Sequence, residues 1–454
     1  MTAQRSRPDR LYGADAPDDR LREAFTTGEV PVAVYGLGKM GVPLAAVFSA
    51  VAGNVVGVDI DPEVVRTVGD GDCPVDGEPG LPGLLEEAVE DRRLRATTDG
   101  VAAATDARLH VVIVPTLVDG TEPDLSALTA VTETIAAGLT PGDMVVVEST
   151  VPPGTCLDHV LPLLERESGH SLGEFGLAFC PERTMSGRAL QDITGSHPKV
   201  VGGADAESDR VARLVYGEVT SAELVVVADP TTAECVKVFE GLYRDVNIAL
   251  ANELATLSDE LGVDVTAAIE AANTQPFCDI HDPGPGVGGH CIPYYPYFVT
   301  SRVETPTPLL ETARGVNDSM PAFTVARVGD CLDAVGRSLP ASSVLVLGLT
   351  YRAGVDETRA SPGVDVARRL ADRARDVYVC DPVCTDVPLA DVRSVGVDEF
   401  EDVDVDAVVL TTPHEAFEAI DWETFEDVVV VDGHRLFDAD TVGHPYYAIG
   451  VGSE

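Results

Sequence analysis

The chain has 454 residues, 45% hydrophobic and 24% charged, which suits two or three globular domains with ample core and excludes a disordered or fibrous protein. Its 76 acidic and 31 basic residues give a net charge of −45, which opposes binding to DNA, RNA or anionic membranes. Only Lys39, Lys199 and Lys237 are lysines; the other 28 basic residues are arginine.

High acidity, scarce lysine and 5% aromatic residues together read as adaptation to a high-salt cytoplasm, where a Debye length of about 3 Å at molar salt screens surface repulsion. Met1–Thr27 is polar and lacks the apolar stretch of a secretory signal, and no run is long and apolar enough to span a membrane. A cytoplasmic location is expected. The nine cysteines form no C-x-x-C pair, so neither a disulfide framework nor a metal site is expected.

In chain order, residues 1–30 read as a polar N-terminal extension. Residues 31–205 alternate β-branched runs with helical stretches, with strands expected at Val32–Tyr35, Val55–Asp59, Leu109–Val114, Met144–Glu148, Leu177–Cys180 and Lys199–Gly202. Strands alternating with helices predict a parallel, doubly wound sheet. Residues 206–325 read as a helical middle domain. Within it, Thr231–Leu261 has apolar residues at three- and four-residue spacing and predicts one long helix closed by Gly262. A Gly/Pro-rich loop follows, then a helix over Pro308–Val335. Residues 326–454 hold a second βα series. The expected fold is α/β: two Rossmann-like doubly wound domains joined by a helical middle domain with one long central helix.

Gly36, Gly38 and Gly41 form G-x-G-x-x-G between the first strand and its helix. Such glycines allow a tight turn, close approach of a pyrophosphate and close helix–strand packing. Asp59 follows Gly36 by 23 residues, at the end of the second strand, where a carboxylate accepts from ribose hydroxyls and repels a 2′-phosphate. NAD is therefore the expected cofactor. Gly284, Gly286, Gly288 and Gly289 precede His290 and Cys291; so many glycines before a thiol predict a nucleophile on a backbone that passes close to a ligand. Lys237 lies in the long helix, where a compact ammonium suits better than a guanidinium fork. Positional roles are expected for Lys39 and Lys199. Glu148, Ser149, Thr150 and Glu182 fall at strand carboxyl ends, where ligands bind in such sheets; an ordinary helix cap or ion pair is the alternative at Thr150 and Glu182.

With "EPGL" (Glu78–Leu81), "ESTVPPGT", "CPER", "YRDVNIALANE" (Tyr243–Glu253), "GPGVGGHCIP", "ARGVND" (Ala313–Asp318) and "GLTYRAGVDETRASP" (Gly348–Pro362), the chain resembles the nucleotide-sugar 6-dehydrogenase family from about Pro31 to Phe437. The resemblance implies a four-electron oxidation of a sugar C6 alcohol to a uronate, through a thiohemiacetal and a thioester on Cys291. It implies catalytic roles for Cys291, Lys237, Thr150 and Glu182, and NAD contacts from Gly36, Gly38, Lys39, Met40, Gly41, Asp59, Thr116 and Thr150. Substrate contacts are implied for Glu182, Arg183, Lys237, Arg244, Asn247, Gly288, Gly289, His290, Arg314 and Arg359, with the region of Asp381 in a nucleotide-binding C-terminal domain. A homodimer or higher oligomer built on the long helix is implied as well. Gly-His-Cys-Ile-Pro resembles the branch acting on UDP-N-acetylhexosamines, UDP-N-acetyl-D-mannosamine first and UDP-N-acetylglucosamine second. A UDP-glucose enzyme, or a non-catalytic nucleotide-sugar-binding protein, is the alternative. Three positions depart from the pattern: Tyr295 stands where an Asp is usual, Gly241 where an Asn is frequent, and Arg352 where Lys is frequent.

Overall fold

The computed structural model describes residues 10–384 and 387–453. The chain divides into two compact units, Met1–Phe239 with Tyr297–Val303, and Glu240–Pro296 with Glu304–Glu454. The segment expected to be one helical middle domain is thus shared between the two.

The first unit is built on β1 (Val32–Tyr35), β2 (Val55–Val58), β3 (Leu94–Thr97), β4 (Leu109–Val112), the hairpin β5 (Leu117–Asp119) and β6 (Glu122–Asp124), β7 (Met144–Val147), β8 (Gly176–Phe179), β9 (Lys199–Gly203) and β10 (Leu224–Val226). Its eight-stranded sheet runs β10-β9-β8-β7-β4-β1-β2-β3, with the hairpin apart. Strands β1, β2, β4, β7 and β8 are buried along their whole length. That is the pattern of a parallel sheet covered on both faces, and it is why these strands read as unbroken apolar runs. Val32 and Val34 point into one core layer, Ala33 and Tyr35 into the other. The sheet is not wholly parallel: β9 runs antiparallel to β8, with Phe179 opposite Gly202.

Part of the expected N-terminal extension belongs to this unit. A helix over Asp18–Thr26 buries Leu21, Ala24 and Phe25, and Leu11 and Tyr12 join the core. The few apolar residues are spaced for one helix face, which the surrounding charge concealed. Residues 1–9 of the extension lie outside the described residues.

The long helix spans Pro230–Thr256, 27 residues or about 40 Å. It stops before the expected Leu261. The Leu257 N–H turns to the Leu254 carbonyl, a short helix follows at Ser258–Leu261, and Gly262 closes it at φ 66°.

The second unit holds β11 (Ser343–Leu347), β12 (Asp376–Cys380), β13 (Arg393–Ser394), β14 (Ala407–Leu410), β15 (Val429–Asp432), β16 (Tyr446–Ala448) and β17 (Gly452–Ser453), in the order β13-β12-β11-β14-β15-β16-β17. All neighbours are parallel except β16 and β17. Core layers cover both faces. In each sheet the order reverses beside the first strand, between β1 and β4 and between β11 and β14. Crevices at the carboxyl ends of such strands are where doubly wound sheets take ligands.

Candidate active site

In the first unit the loop after β1 lies at this switch point. Gly36 has φ 98°, and a Cβ there would strike the Ile113 carbonyl. A Cβ on Gly41 would collide with the Gly36 carbonyl, whereas one on Gly38 would meet nothing within 4 Å. The outer glycines therefore serve the turn and the packing, and the middle one leaves open approach. The Asp59 carboxylate accepts from Leu37 N at 2.7 Å and from Asp61 N at 3.0 Å, so it ties the loop to the tip of β2. Lys39 is exposed, and Met40 precedes the helix Gly41–Ala52, whose positive dipole end favours an anion. A dinucleotide fits this frame: an unobstructed glycine turn, a helix N-terminus and a carboxylate at the ribose position.

The carboxyl ends of β4, β7 and β8 supply the rest of this half. The Thr116 hydroxyl donates to the Thr150 carbonyl, which pins the two predicted threonines together, and Ser149 Oγ donates to Val114 O at 2.8 Å. Glu182 accepts from both the N–H and the hydroxyl of Thr184, and its other oxygen lies 3.5 Å from Lys237 Nζ. Burial opposes ionisation of Glu182, but Lys237, Thr184 and Lys199 outweigh it and hold the carboxyl below its ordinary range. An ionised carboxylate and an ammonium are thus presented side by side, an arrangement able to take up a proton and to stabilise a nearby oxyanion. Arg183 turns aside and donates to Pro198 O at 2.8 Å.

Glu148 was expected to face the ligand with Thr150. Instead it is 1% exposed and accepts from Lys199 Nζ at 2.7 Å and from the Tyr216 hydroxyl. A positional role was expected of Lys199, without its partners; Tyr216 was not among the expected residues. The rarity of lysine was the signal available for Lys199; nothing in the sequence marked Tyr216.

In the second unit Cys291 is the exposed cysteine of the nine. Its carbonyl accepts from Tyr294 N and Tyr295 N, each at 3.0 Å, in a tight turn. The preceding glycines pack against protein. A Cβ on Gly288 would come within 2.8 Å of Tyr351 Cβ and of the Ala360 carbonyl, and one on Gly289 within 2.9 Å of the Tyr351 ring. Gly289 N donates to Arg359 O at 3.1 Å, and His290 Nε2 lies 2.7 Å from Glu357 Oε2. The glycines let the Cys291 loop lie flat on the Tyr351–Pro362 segment, so the thiol is held on a braced backbone.

Farther back, Arg314 pairs with Asp245 and Asp318, and Asn317 bonds Asp245 and Asn252. Asn252 Oδ1 then accepts from Gly284 N at 2.9 Å, which anchors the start of the loop. Asn247 is engaged by Tyr243, Asp279 O and His281 N. Arg314 and Asn247 are therefore committed to protein partners, while Arg244 and Arg359 are exposed. Asp381, at the tip of β12, accepts from Leu349 N at 2.6 Å and Thr350 N at 2.9 Å. Among the described residues, no group of three or more His, Cys, Asp or Glu is arranged to hold a metal, and no helix is long and apolar enough to cross a membrane.

Three family models match in succession: the NAD binding domain of the UDP-glucose/GDP-mannose dehydrogenase family over residues 30–220, its central domain over 231–319 and its UDP binding domain over 345–442. The chain is 34% identical over 428 residues to a UDP-N-acetyl-D-mannosamine dehydrogenase from Pyrococcus horikoshii, covering 93% of this chain and 99% of the relative. It is 34% identical over 418 residues to an NDP-N-acetyl-D-galactosaminuronic acid dehydrogenase from Ralstonia solanacearum, covering 90% and 96%. The solved UDP-D-ManNAc dehydrogenase from Pyrococcus horikoshii superposes with a TM-score of 0.87 at 33% identity, covering 93% of this chain and all of that one. The native UDP-N-acetyl-mannosamine dehydrogenase structure from Staphylococcus aureus gives 0.80 at 30% identity, covering 92% and 98%.

Proposed function

The chain belongs to the UDP-glucose/GDP-mannose dehydrogenase family, an NAD-dependent family of nucleotide-sugar dehydrogenases, and from that premise we propose that it oxidises the C6 hydroxymethyl of UDP-N-acetyl-D-mannosamine to the carboxylate. The observation that carries the mechanism is Cys291, exposed on a braced loop while the other eight cysteines are wholly or partly buried. The sugar is supported by relatives of that activity matched along nearly the whole chain.

Bound NAD, held by the Gly36–Gly41 loop and Asp59, supplies the hydride acceptor for each of two oxidations. The Cys291 thiolate adds to the C6 aldehyde, and the resulting thiohemiacetal oxygen carries the charge that the Lys237 ammonium offsets. Loss of hydride from that carbon leaves a thioester, which retains the sugar on the enzyme. Water, oriented by Thr150 and relieved of a proton by Glu182, releases the uronate and regenerates the thiol. One alcohol and one water give one carboxylate, two hydrides and three protons. Arg244 and Arg359 supply positive charge for the diphosphate, and His290, Gly288 and Gly289 shape the loop beside the sugar.

Oligomerisation through the long helix is part of this reading. Tyr243, Val246 and Leu250 are spaced along one face of it and line an apolar groove, which a second copy would cover. A cytoplasmic location is part of it too, since NAD and nucleotide sugars are cytoplasmic compounds.

The deciding experiment counts NADH at high salt with limiting UDP-N-acetyl-D-mannosamine, run beside UDP-N-acetylglucosamine and UDP-glucose. Two NADH per UDP-N-acetyl-D-mannosamine, with little from the others, is the expected result. Two NADH from another sugar keeps the chemistry and moves the substrate, a reading the Ralstonia relative favours for another N-acetylated hexose. No NADH from any sugar favours a non-catalytic binding protein.

A further inference from the structure

We propose that Lys199 is a positioning residue for Glu182: it holds the backbone that presents this carboxylate and sets the field in which the carboxylate ionises. The proposal rests on the dehydrogenase reading above, in which Glu182 is the base.

The geometry begins with the one antiparallel pair in the first sheet. Strand β8 ends at Phe179 and leads through Cys180 and Pro181 to Glu182; β9 starts at Lys199 and runs the opposite way beside it. The Lys199 ammonium therefore returns to the turn that carries Glu182. It donates to the Pro181 carbonyl at 3.2 Å, one residue before Glu182, and to Glu148 Oε2 at 2.7 Å. It also stands 4.6 Å from the centre of the Tyr216 ring. Tyr216 closes the set by donating its hydroxyl to the other oxygen of Glu148. Lys199 is 16% exposed and Glu148 is 1% exposed.

A buried ammonium and carboxylate persist only when each is paired and hydrogen-bonded, since desolvation otherwise costs more than their attraction returns. Here both are satisfied, and breaking either would leave the other charge buried alone. The cluster borders a small cavity that Met40, Thr184 and His197 also line, with Glu182 on its wall. Two lysines thus bracket one carboxylate: Lys237 from the long helix at 3.5 Å, and Lys199 from behind through the preceding carbonyl. Lys199 is also among the groups that hold Glu182 below its ordinary range.

An arginine would not serve. Its planar fork suits two parallel acceptors, whereas here one small cation meets a carboxylate, a carbonyl and a ring face from different directions. This accounts for a lysine at position 199 in a chain with 28 arginines and three lysines.

The test is the pH dependence of NADH formation by the full-length protein at high salt, for wild type, Lys199→Met, Lys199→Arg and Glu148→Gln. Rate falls on the acid side as Glu182 takes a proton. Removing the Lys199 charge must raise the pH of that limb, by about one unit, with kcat down roughly tenfold and KM for the sugar little changed. Glu148→Gln removes the opposing charge and must move the limb the other way. Lys199→Arg keeps the charge, so it restores the limb but not kcat. Opposite displacements for Lys199→Met and Glu148→Gln are the signature that loss of stability alone cannot produce; if one of them does not fold, the other is compared with Lys199→Arg, which keeps the charge and must leave the limb in place. Limbs that stay in place, or move together, in the presence of an active wild type would overturn this proposal alone. A wild type inactive on every nucleotide sugar would overturn the dehydrogenase reading, and this proposal with it.

Discussion

The ring of Tyr295 lies against the face of the long helix at Gly241, so closely that a Cβ on Gly241 would fall inside the van der Waals envelope of the ring. Tyr295 is 6% exposed. Two of the three positions that depart from the pattern the resemblance implies, Tyr295 and Gly241, therefore fit together as one exchange: a large ring in place of a small polar group, and a glycine beneath it to make room. Such an exchange keeps the packing intact and argues against random decay of the site.

This pairing fixes the sign of a mutational cycle. Gly241→Ala should destabilise the wild type by about 1–3 kcal/mol, because the added methyl overpacks the ring. In a Tyr295→Ala background the same change should stabilise, by up to about 1 kcal/mol, because alanine is the better helix residue. Urea unfolding of the four variants measures both; additive effects would remove the coupling.

Cys291→Ser should lower uronate formation by roughly a thousandfold or more while NAD still binds, since a hydroxyl at this position lacks the nucleophilicity of a thiolate. Rapid-mixing NADH kinetics with product analysis would show it. Undiminished turnover would exclude a thioester.

Asp59→Ala removes both the anchor of Leu37 N and the ribose contact, so NAD affinity should fall about 10- to 100-fold. Calorimetric titration with NAD checks this, and an unchanged Kd would place the dinucleotide elsewhere.

Asp381 gives a pH-dependent stability of known sign. Burial opposes its ionisation, but His414 and the N–H groups of Leu349, Thr350 and Val383 prevail and hold the carboxyl far below its ordinary range. Its contribution is present above the unfolded value near pH 3.9 and is lost as pH falls toward the folded value. Asp381→Asn should cost about 2–4 kcal/mol at pH 7 and less at pH 3. Urea midpoints of both proteins at the two pH values test this.

The charge of −45 predicts a thermal midpoint that climbs steeply with salt. A midpoint that stays flat between dilute buffer and about 3 M KCl would remove the high-salt reading.

The parallel strands were legible because a sheet covered on both faces demands unbroken apolar runs, and β1, β4, β7, β11 and β14 have them. Strands β13 and β17 were not, because two residues at a sheet edge carry no periodicity. The reversal of β9 was also hidden, since direction is set by tertiary pairing rather than by composition. At the site, the glycine fingerprint, Asp59, Glu182, Lys237 and Cys291 stood out by residue type and spacing. Of the glycines before Cys291, expected to let the backbone pass close to a ligand, Gly288 and Gly289 also make room for Tyr351 and Ala360, which residue type and spacing do not reveal. The partnership of Glu148 and Tyr216 with Lys199 was out of reach, because Lys199 and Tyr216 lie 51 and 68 residues from Glu148 in the chain.

Asp59 and Asp381 are the same device used twice. Each sits at the tip of the strand next to the first strand of its sheet and accepts from the turn after that first strand, Asp59 from Leu37 N and Asp381 from Leu349 N and Thr350 N. The turns are consequently ordered during folding by the protein's own carboxylates, and their loss of chain entropy is settled before any nucleotide arrives. Affinity at either turn should then follow the contacts made there, and association should be governed by encounter rather than by slow rearrangement of a loop.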